Sequence, residues 1–303
     1  PHNGENEGYK ILKEIPEVDV FLTGHQHRRL NLVVDNTAIV QPGYRGECVA
    51  QVVIDLDKTS DGIKINSLET SLIETKDYEP DPAIVKDITD VDRQAQAWLD
   101  QPIAHLSEPA PIKSAFEGRT KGAPFTNLLQ QMQIYFTGAD ISATAVMSEK
   151  ARGFTNQTVT LREVILNYPY ANQLCKVKEI LEHTATFLEK DNEGNINFID
   201  RYIKPKPQLY HFDVFYPLRY EVDLSKPHGH RVVELTLHGK PIEDEHIYHL
   251  AVNNYRAMGG GFYPAYSMDK IEMMLDKDYV QMFTEYLTSG EVKVDTKQYY
   301  KFY

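Results

Sequence analysis

The sequence predicts a mixed α/β protein in two folded parts joined by one long helix, and three observations carry that reading. Short β-branched runs separated by turn signals crowd residues 1–76. A capped, amphipathic helical pattern fills residues 77–101 with no strand beside it. From 102 to 303, helical and strand patterns are mixed, as in an α+β domain. A chain of 303 residues is long enough to bury a core in each part.

Composition narrows the partners. The 42% hydrophobic content and 19 tyrosines describe a globular protein, not a disordered one. A formal charge of −12 argues against nucleic-acid polymers and anionic membranes, which need a basic footprint, but not against a small phosphorylated ligand in a local pocket. Two cysteines, Cys48 and Cys175, support neither a disulfide scaffold nor a cysteine metal site. No stretch is long and apolar enough to span a bilayer. The chain opens on Pro1-His2 without Met, and a strand and a histidine motif follow within two dozen residues. The expectation is that the true N-terminus lies upstream, so the absence of a targeting segment carries no information.

Taken bare, His2-Asn3-Gly4 reads as a turn before a short helix with Tyr9, Leu12 and Ile15 on one face and Pro16 closing it. Residues 18–22 read as a buried strand running into Thr23-Gly24-His25-Gln26-His27. On extended backbone His25 and His27, two apart, point to one face. Two imidazoles aimed off a strand end suit a metal ion or a phosphate better than core packing, because ligands sit at strand carboxyl ends in open α/β sheets. His228-Gly229-His230, after Lys226-Pro227, reads instead as a plain polar turn. Residues 30–34 and 37–40 form a hairpin around Asp35-Asn36, ended by Gln41-Pro42-Gly43. Residues 48–56 and 64–72 are strands joined by a surface turn at 57–62. Asp81 caps the long helix with Pro82 in its first turn, and Ile84, Ile88, Val91, Ala95 and Trp98 make one apolar stripe. Pro102 stops it.

The segment 102–124 is loop-rich, and its Arg119 and Lys121 read either as phosphate contacts or as surface charge. A helix at 126–136 turns Leu128, Leu129 and Met132 inward and has Gly138 past its end. A strand at 141–147 leads to a loop at 148–157 carrying Lys150, Arg152 and Gly153. Thr160-Leu161-Arg162-Glu163 is a capping box for a helix that cannot run past Asn167-Tyr168-Pro169. Tyr170 and Asn172 therefore sit on irregular backbone between a helix and a strand, a usual place for ligand contacts. A strand at 173–177 abuts an amphipathic helical pattern at 178–189 with no turn residue between, and several residues are expected to be absent there. A polar loop spans 191–207. Strands follow at 212–215, 218–224, 231–237, 246–252 and 271–275, then a helix at 279–287. Tyr255 precedes Gly259-Gly260-Gly261, whose missing side chains leave room around a ring.

Several separated stretches together resemble a known family. Pro1-His2-Asn3-Gly4, Gly24-His25-Gln26-His27 and Gln41-Pro42-Gly43 look like the last third of a calcineurin-type metallophosphoesterase domain. Glu149-Lys150-Ala151-Arg152-Gly153-Phe154, Asn167-Tyr168-Pro169-Tyr170-Ala171-Asn172, Tyr220–Pro227 and Asn253–Gly261 look like the C-terminal domain of the 5′-nucleotidase family, nearest its 2′,3′-cyclic-nucleotide 2′-phosphodiesterase/3′-nucleotidase branch. The resemblance implies the C-terminal fragment of a four-layer α/β/β/α metallophosphoesterase domain (1–76), an interdomain linker helix (77–101) and an α+β nucleotidase substrate-binding domain (102–303). It implies His2, beside His25 and His27, as a ligand to two divalent metal ions, of which Zn, Mn, Fe and Co all suit imidazole with carboxylate. It implies Tyr170 and Tyr255 clamping a nucleobase, Asn172 bonding its edge and Arg152 meeting phosphate or ribose. Some relatives carry an acidic residue in the stretch where Gly261 stands here. Relatives are mostly periplasmic, secreted or wall-attached, though some lack export signals.

The implied chemistry is hydrolysis of 2′,3′-cyclic nucleotides and nucleoside 3′- or 5′-monophosphates by metal-activated water. A UDP-sugar hydrolase or thiosulfohydrolase-like relative uses the same scaffold, and a nucleotide-binding module with an incomplete metal site is the non-enzymatic alternative. Oligomeric state, base and phosphate position stay open. The family's Asp-x-His, Gly-Asp-x-x-Asp and Gly-Asn-His-Asp/Glu motifs do not occur here and would lie upstream of Pro1, with the catalytic histidine. Residues 1–303 alone are therefore expected to turn over no phosphoester. Metal-dependent phosphatase activity from them in a steady-state assay would overturn this.

Overall fold

The computed structural model describes residues 8–60, 62–180, 210, 212–227, 230–243, 246–260, 266–290 and 292–303. The chain divides into two compact units, Pro1–Val91 and Asp92–Tyr303.

In the first unit, α1 (Gly8–Glu14) precedes β1 (Val20–Leu22), β2 (Arg29–Val34) and β3 (Thr37–Pro42). The three strands lie in the order β1-β3-β2, with β1 parallel and β2 antiparallel to β3. Asp35 (φ 48°) and Asn36 (φ 60°) close the β2–β3 hairpin in the left-handed conformations that a two-residue loop requires. β4 (Cys48–Thr59) and β5 (Gly62–Glu74) form a longer hairpin than expected, because the ladder continues to Thr59↔Gly62 and leaves only a tight turn. Burial centres on β3, whose residues Thr37 to Gln41 are all buried.

Two expectations change here. β1 is an edge strand of this sheet, so it is not buried, and Leu22 is 73% exposed. β3 does not end before Gln41. Its ladder runs on through Leu30↔Gln41 and Arg29↔Pro42, and a proline is tolerated at the end of a strand.

α2 (Pro82–Leu99) carries the division between the units. Asp81 caps it, its Oδ1 accepting from Ala83 N at 2.8 Å. Ile84, Ile88, Val91 and Trp98 of its apolar stripe are all exposed. At its C-terminal end Arg162 donates to Asp100 and to the Gln96 side chain.

The loop-rich start of the second unit holds β6 (Pro102–His105), β7 (Ala110–Pro111) and α3 (Ala115–Thr120), too short for a periodic signal. The equally short β9 (Gly153–Phe154) and β10 (Thr158–Thr160) pair back on β7 and β6. The unit is built on a five-stranded sheet in the order β12-β8-β16-β11-β17, where β8 is Ile141–Thr144, β11 Gln173–Ile180, β12 Val214–Tyr216, β16 Ile247–Asn253 and β17 Ile271–Asp278. A short helix, α6 (Asn254–Ala257), follows β16. Side chains alternate between the two faces of the sheet. Leu174 and Ala251 join one core with α4 (Pro124–Thr137), α5 (Leu161–Asn167) and α7 (Tyr279–Thr288). Cys175, Val177, Leu250 and Val252 join a second core with β13 (Leu218–Val222), β14 (Val232–Leu237) and β18 (Tyr300–Phe302). Those three belong to a four-stranded sheet completed by β15 (Lys240–Pro241). With both faces covered, β8 is buried along its whole length, and neighbouring residues of β11 and β16 are buried on opposite faces.

The seam at Val177-Lys178 is a further correction. β11 continues across it, paired to β16 as far as Ile180↔Ile247. Residues 178–180 are strand, not the start of a helix. The rest of the expected helix, the loop at 191–207, His228-Gly229 and Gly261 lie outside the described residues.

Burial pushes up the phenols of Tyr168, Tyr220, Tyr279 and Tyr300, and lifts the Cys175 thiol to about 11. Each raised group keeps its proton longer in the folded chain than in the unfolded one. Its stabilising contribution is full below the unfolded values, ~8.5 for Cys and ~10 for Tyr, and is lost as pH rises through the folded ones. In an alkaline titration the exposed tyrosines should ionise first, and the buried four only as circular dichroism is lost. Complete tyrosinate formation with unchanged dichroism would contradict this burial.

Candidate functional site

The first group of candidate residues lies on the loop between β1 and β2. Gly24 makes the turn, and Gln26 N donates back to Gly24 O. The backbone here is not extended: His25 (φ 36°) and His27 (φ 55°) are both left-handed, a conformation costing ~1–3 kcal/mol outside glycine. The two histidines therefore do not share a face by strand alternation, which corrects the sequence argument. Both are exposed, with Gln26 half-buried between them.

Buried Gln41 holds this loop in place. Its Nε2 donates to Thr23 Oγ1 at 2.9 Å and to Gln26 Oε1 at 3.3 Å, and its Oε1 accepts from Arg28 N. Thr23 N and Oγ1 both donate to Val40 O. The His27 ring stacks on Tyr44, centroids 5.3 Å apart and planes 14° apart. Two exposed imidazoles on a braced loop are donor chemistry that a divalent ion accepts. They supply part of a ligand set, since among the described residues no three His, Cys, Asp or Glu side chains gather. His2 lies outside those residues.

The second group lies where α5 and β16 end and β11 begins. The loop after α5 carries Tyr170, and α6 carries Tyr255. Tyr170 is 41% exposed and Tyr255 half-buried. Their rings are joined through a third. Tyr210 meets Tyr170 at 6.1 Å (planes 71° apart) and Tyr255 at 6.3 Å (81°). Below them Tyr168 stacks on Tyr279 at 4.3 Å, and Tyr170 meets Tyr168 edge-on at 6.4 Å.

Polar side chains fix this cluster. Asn172 Nδ2 donates to Asn254 Oδ1 at 3.0 Å, and the same oxygen accepts from Gln173 N. Tyr168 Oη donates to Asn172 Oδ1 at 3.4 Å. Asn172 thus ties two loops together and keeps one amide N–H for another acceptor. Arg256 is buried and pairs bidentately with buried Asp213, at 2.7 and 3.0 Å. Its other N–H groups reach the carbonyls of Tyr210 and Gly260. Gly260 is required beside Tyr255, because a Cβ there would lie 2.6 Å from the ring.

Arg152 is exposed on a loop that buried Asn167 clamps. Asn167 Oδ1 accepts from Arg152 N (3.0 Å) and Gly153 N (2.8 Å), while its Nδ2 donates to the carbonyls of Gly153 and Glu163. Arg152 Nη1 donates to Glu149 O and Ala151 O, so one side of the guanidinium folds back on its own loop. Arg119 is buried and donates to Ala115 O, and Lys121 pairs with Glu117. Both therefore make local contacts at α3.

The structure thus gathers Tyr170, Asn172 and Tyr255 around one polar and aromatic cluster. It also shows four residues that sequence reasoning missed: Gln41, Tyr210, Asp213 and Arg256. Each acts through tertiary contacts. Gln41 and Arg256 stood in quoted motifs without being singled out, and Tyr210 was one of 19 tyrosines, beside a polar loop.

Residues 102–268 match the family model described as 5′-nucleotidase, C-terminal domain, the family expected from the motifs. A 2′,3′-cyclic-nucleotide 2′-phosphodiesterase/3′-nucleotidase from Haemophilus influenzae is 26% identical over 318 aligned positions, covering 85% of this chain and 48% of that protein. A Staphylococcus aureus protein assigned as a 5′-nucleotidase, crystallised with α-ketoglutarate, superposes with a TM-score of 0.77 at 30% identity, over 99% of this chain and 59% of that one. A 5′-nucleotidase precursor from Thermus thermophilus shares the fold, with a TM-score of 0.58 at 19% identity, over 94% and 59%. The chain therefore spans about half the length of the curated relative, 48%, and under two thirds of either structural one.

Removing the Gln41 side chain should free the histidine loop while leaving β3 paired. Gln41→Ala is expected to destabilise by ~1–3 kcal/mol and to speed amide exchange at Arg28 at least tenfold. Unchanged protection of Arg28 would show that the loop stands without Gln41.

Proposed function

Because the chain belongs to the 5′-nucleotidase family through its C-terminal domain, we propose that it serves the hydrolysis of nucleotide phosphoesters, of 2′,3′-cyclic nucleotides and of nucleoside 3′- or 5′-monophosphates. In this reading residues 102–303 hold the nucleotide, residues 1–76 belong to a metal-binding domain and residues 77–101 link them. The observation that carries it is the tyrosine cluster of Tyr170, Tyr210 and Tyr255, held over a buried ion pair inside the stretch that matches the family. Aromatic faces accept any base by stacking, at ~1–3 kcal/mol each.

Tyr170 and Tyr255 stack against the base. Asn172, with an amide N–H to spare, bonds its edge. Arg152 is exposed beside the ordered Gly153 turn and meets the phosphate or ribose. His2, His25 and His27 contribute ligands for two divalent ions, drawn from Zn, Mn, Fe or Co. Such ions, when bound, neutralise phosphoryl oxygens and make water nucleophilic near neutral pH. The loop's own part is to present two imidazoles without first having to order them, because Gln41 already fixes the backbone. The net charge of −12 fits a small ligand drawn in by a local site rather than by a long-range field. A periplasmic or extracellular site of action fits the family resemblance, and among the described residues no helix is long and apolar enough to cross a membrane.

Adenosine 5′-monophosphate titrated calorimetrically into the 303-residue chain should bind, and Tyr170→Ala and Tyr255→Ala should each weaken it about 5- to 100-fold, one stacked face apiece. Equal affinity in wild type and both variants would remove the base-stacking role.

A further inference from the structure

The hydrogen bonds around Asn172 have a fixed direction, because two main-chain N–H groups, which can only donate, anchor the network. Gln173 N donates to Asn254 Oδ1 at 3.2 Å, so the Asn172 atom that meets this oxygen at 3.0 Å is its amide nitrogen. Asn172 Oδ1 is thereby turned to Tyr168 Oη, 3.4 Å away. Arg256 N donates to Asn253 Oδ1 at 2.8 Å, so Asn253 offers Tyr168 Oη its Nδ2, at 3.4 Å. Tyr279 stacks on Tyr168, accepts from Gln133 Nε2 at 2.6 Å and sends its own proton to the Tyr168 hydroxyl. Tyr168 Oη thus accepts from Asn253 and Tyr279, and its one proton goes to Asn172 Oδ1. Tyr168, Tyr279 and Gln133 are all buried, and Tyr279 N holds the Asn172 carbonyl at 3.1 Å.

We propose that Tyr168 is a positioning residue for base recognition: its hydroxyl engages the Asn172 side-chain oxygen and leaves an amide N–H to read the base, which must offer an acceptor atom. This rests on Asn172 bonding the edge of a nucleobase. An asparagine free to use both its polar atoms bonds adenine bidentately, accepting from N6 and donating to N7. With its oxygen turned to Tyr168, Asn172 contributes the donor alone. The acceptors of adenine are its ring nitrogens N1, N3 and N7, so one of the three takes the Asn172 N–H. Without the Tyr168 hydroxyl, Asn172 Oδ1 loses its donor and the amide is free to turn. One neutral hydrogen bond corresponds to a loss of about three- to tenfold in affinity.

The test is calorimetric titration of adenosine 5′-monophosphate and its 1-, 3- and 7-deaza analogues into the wild-type chain, Tyr168→Phe, Asn172→Ala and the double variant. Circular dichroism confirms that each is folded, and Phe keeps the ring that stacks on Tyr279. Tyr168→Phe is expected to weaken adenosine 5′-monophosphate about three- to tenfold, and the double variant to bind no more weakly than Asn172→Ala. One deaza analogue should bind the wild type more weakly by a similar factor, and lose nothing further with Asn172→Ala. The analogues need no variant to fold for the acceptor requirement to be read on the wild type. A tyrosine that merely supports the fold would weaken binding by the same factor whether residue 172 is Asn or Ala. That result, or wild-type affinity in Tyr168→Phe, with Asn172→Ala still weaker, overturns the positioning role and leaves the base-edge contact standing. Equal binding of all three analogues and the parent nucleotide to the wild type overturns the acceptor requirement. Wild-type affinity in Asn172→Ala, or no binding by the wild type, overturns the base-edge contact and the proposal with it.

Discussion

The second unit depends most on one buried ion pair. Arg256 and Asp213 are both withdrawn from water, with side chains 3% and 6% exposed. Removing either partner of such a pair strands a charge and costs ~3–5 kcal/mol, although the intact pair itself adds little net stability. Its value is positional. One guanidinium fixes the carboxylate of Asp213, the carbonyl of Tyr210 and the carbonyl of Gly260. It thereby sets where the rings of Tyr210 and Tyr255 stand. The planar fork of Arg satisfies these acceptors together, which a lysine could not do.

The same device recurs at smaller scale. Irregular backbone around the candidate sites is held by buried or half-buried amide side chains rather than by sheet ladders. Asn167 clamps the Arg152-Gly153 turn, Asn254 takes Asn172 and Gln173, and Gln41 takes Thr23, Gln26 and Arg28. Loops carry exposed functional groups because they lie at the surface, but their backbone polar groups still need partners. An amide side chain offers donors and acceptors together and can replace a missing strand neighbour. Gly153 shows how tightly one such turn is packed, since a Cβ there would lie 2.3 Å from Ala110 O.

The two units differ in how they bury apolar surface. The second sandwiches its sheet between helices and a second sheet, and its central strands are buried on both faces. The first buries β3 but leaves Val49, Val53, Leu56 and Ile63 of its long hairpin exposed. Those side chains keep strand propensity and pair across the hairpin, whose ladder runs from Cys48↔Glu74 to Thr59↔Gly62 with one register shift at Asp55/Leu56.

By itself the sequence determined the family, the mixed α/β class and most element positions. These follow from local causes: the period of apolar residues, the Thr160–Glu163 capping box, Gly138 closing α4, and Asp35-Asn36 closing a hairpin. It also marked His25, His27, Arg152, Tyr170, Asn172 and Tyr255, because each stands in a motif or beside a chain break. Only the tertiary structure decided that β11 runs through Val177-Lys178, that β1 is an edge strand and that both histidines sit on left-handed backbone. It alone revealed Arg256–Asp213 and the contact of Tyr210 with two other rings. Asp213 and Arg256 are 43 residues apart, and no local period encodes such a meeting. It arises when β8 and β16 come side by side in one sheet with β12 at its edge, so the partner of each buried charge is chosen by topology and not by neighbours in the chain.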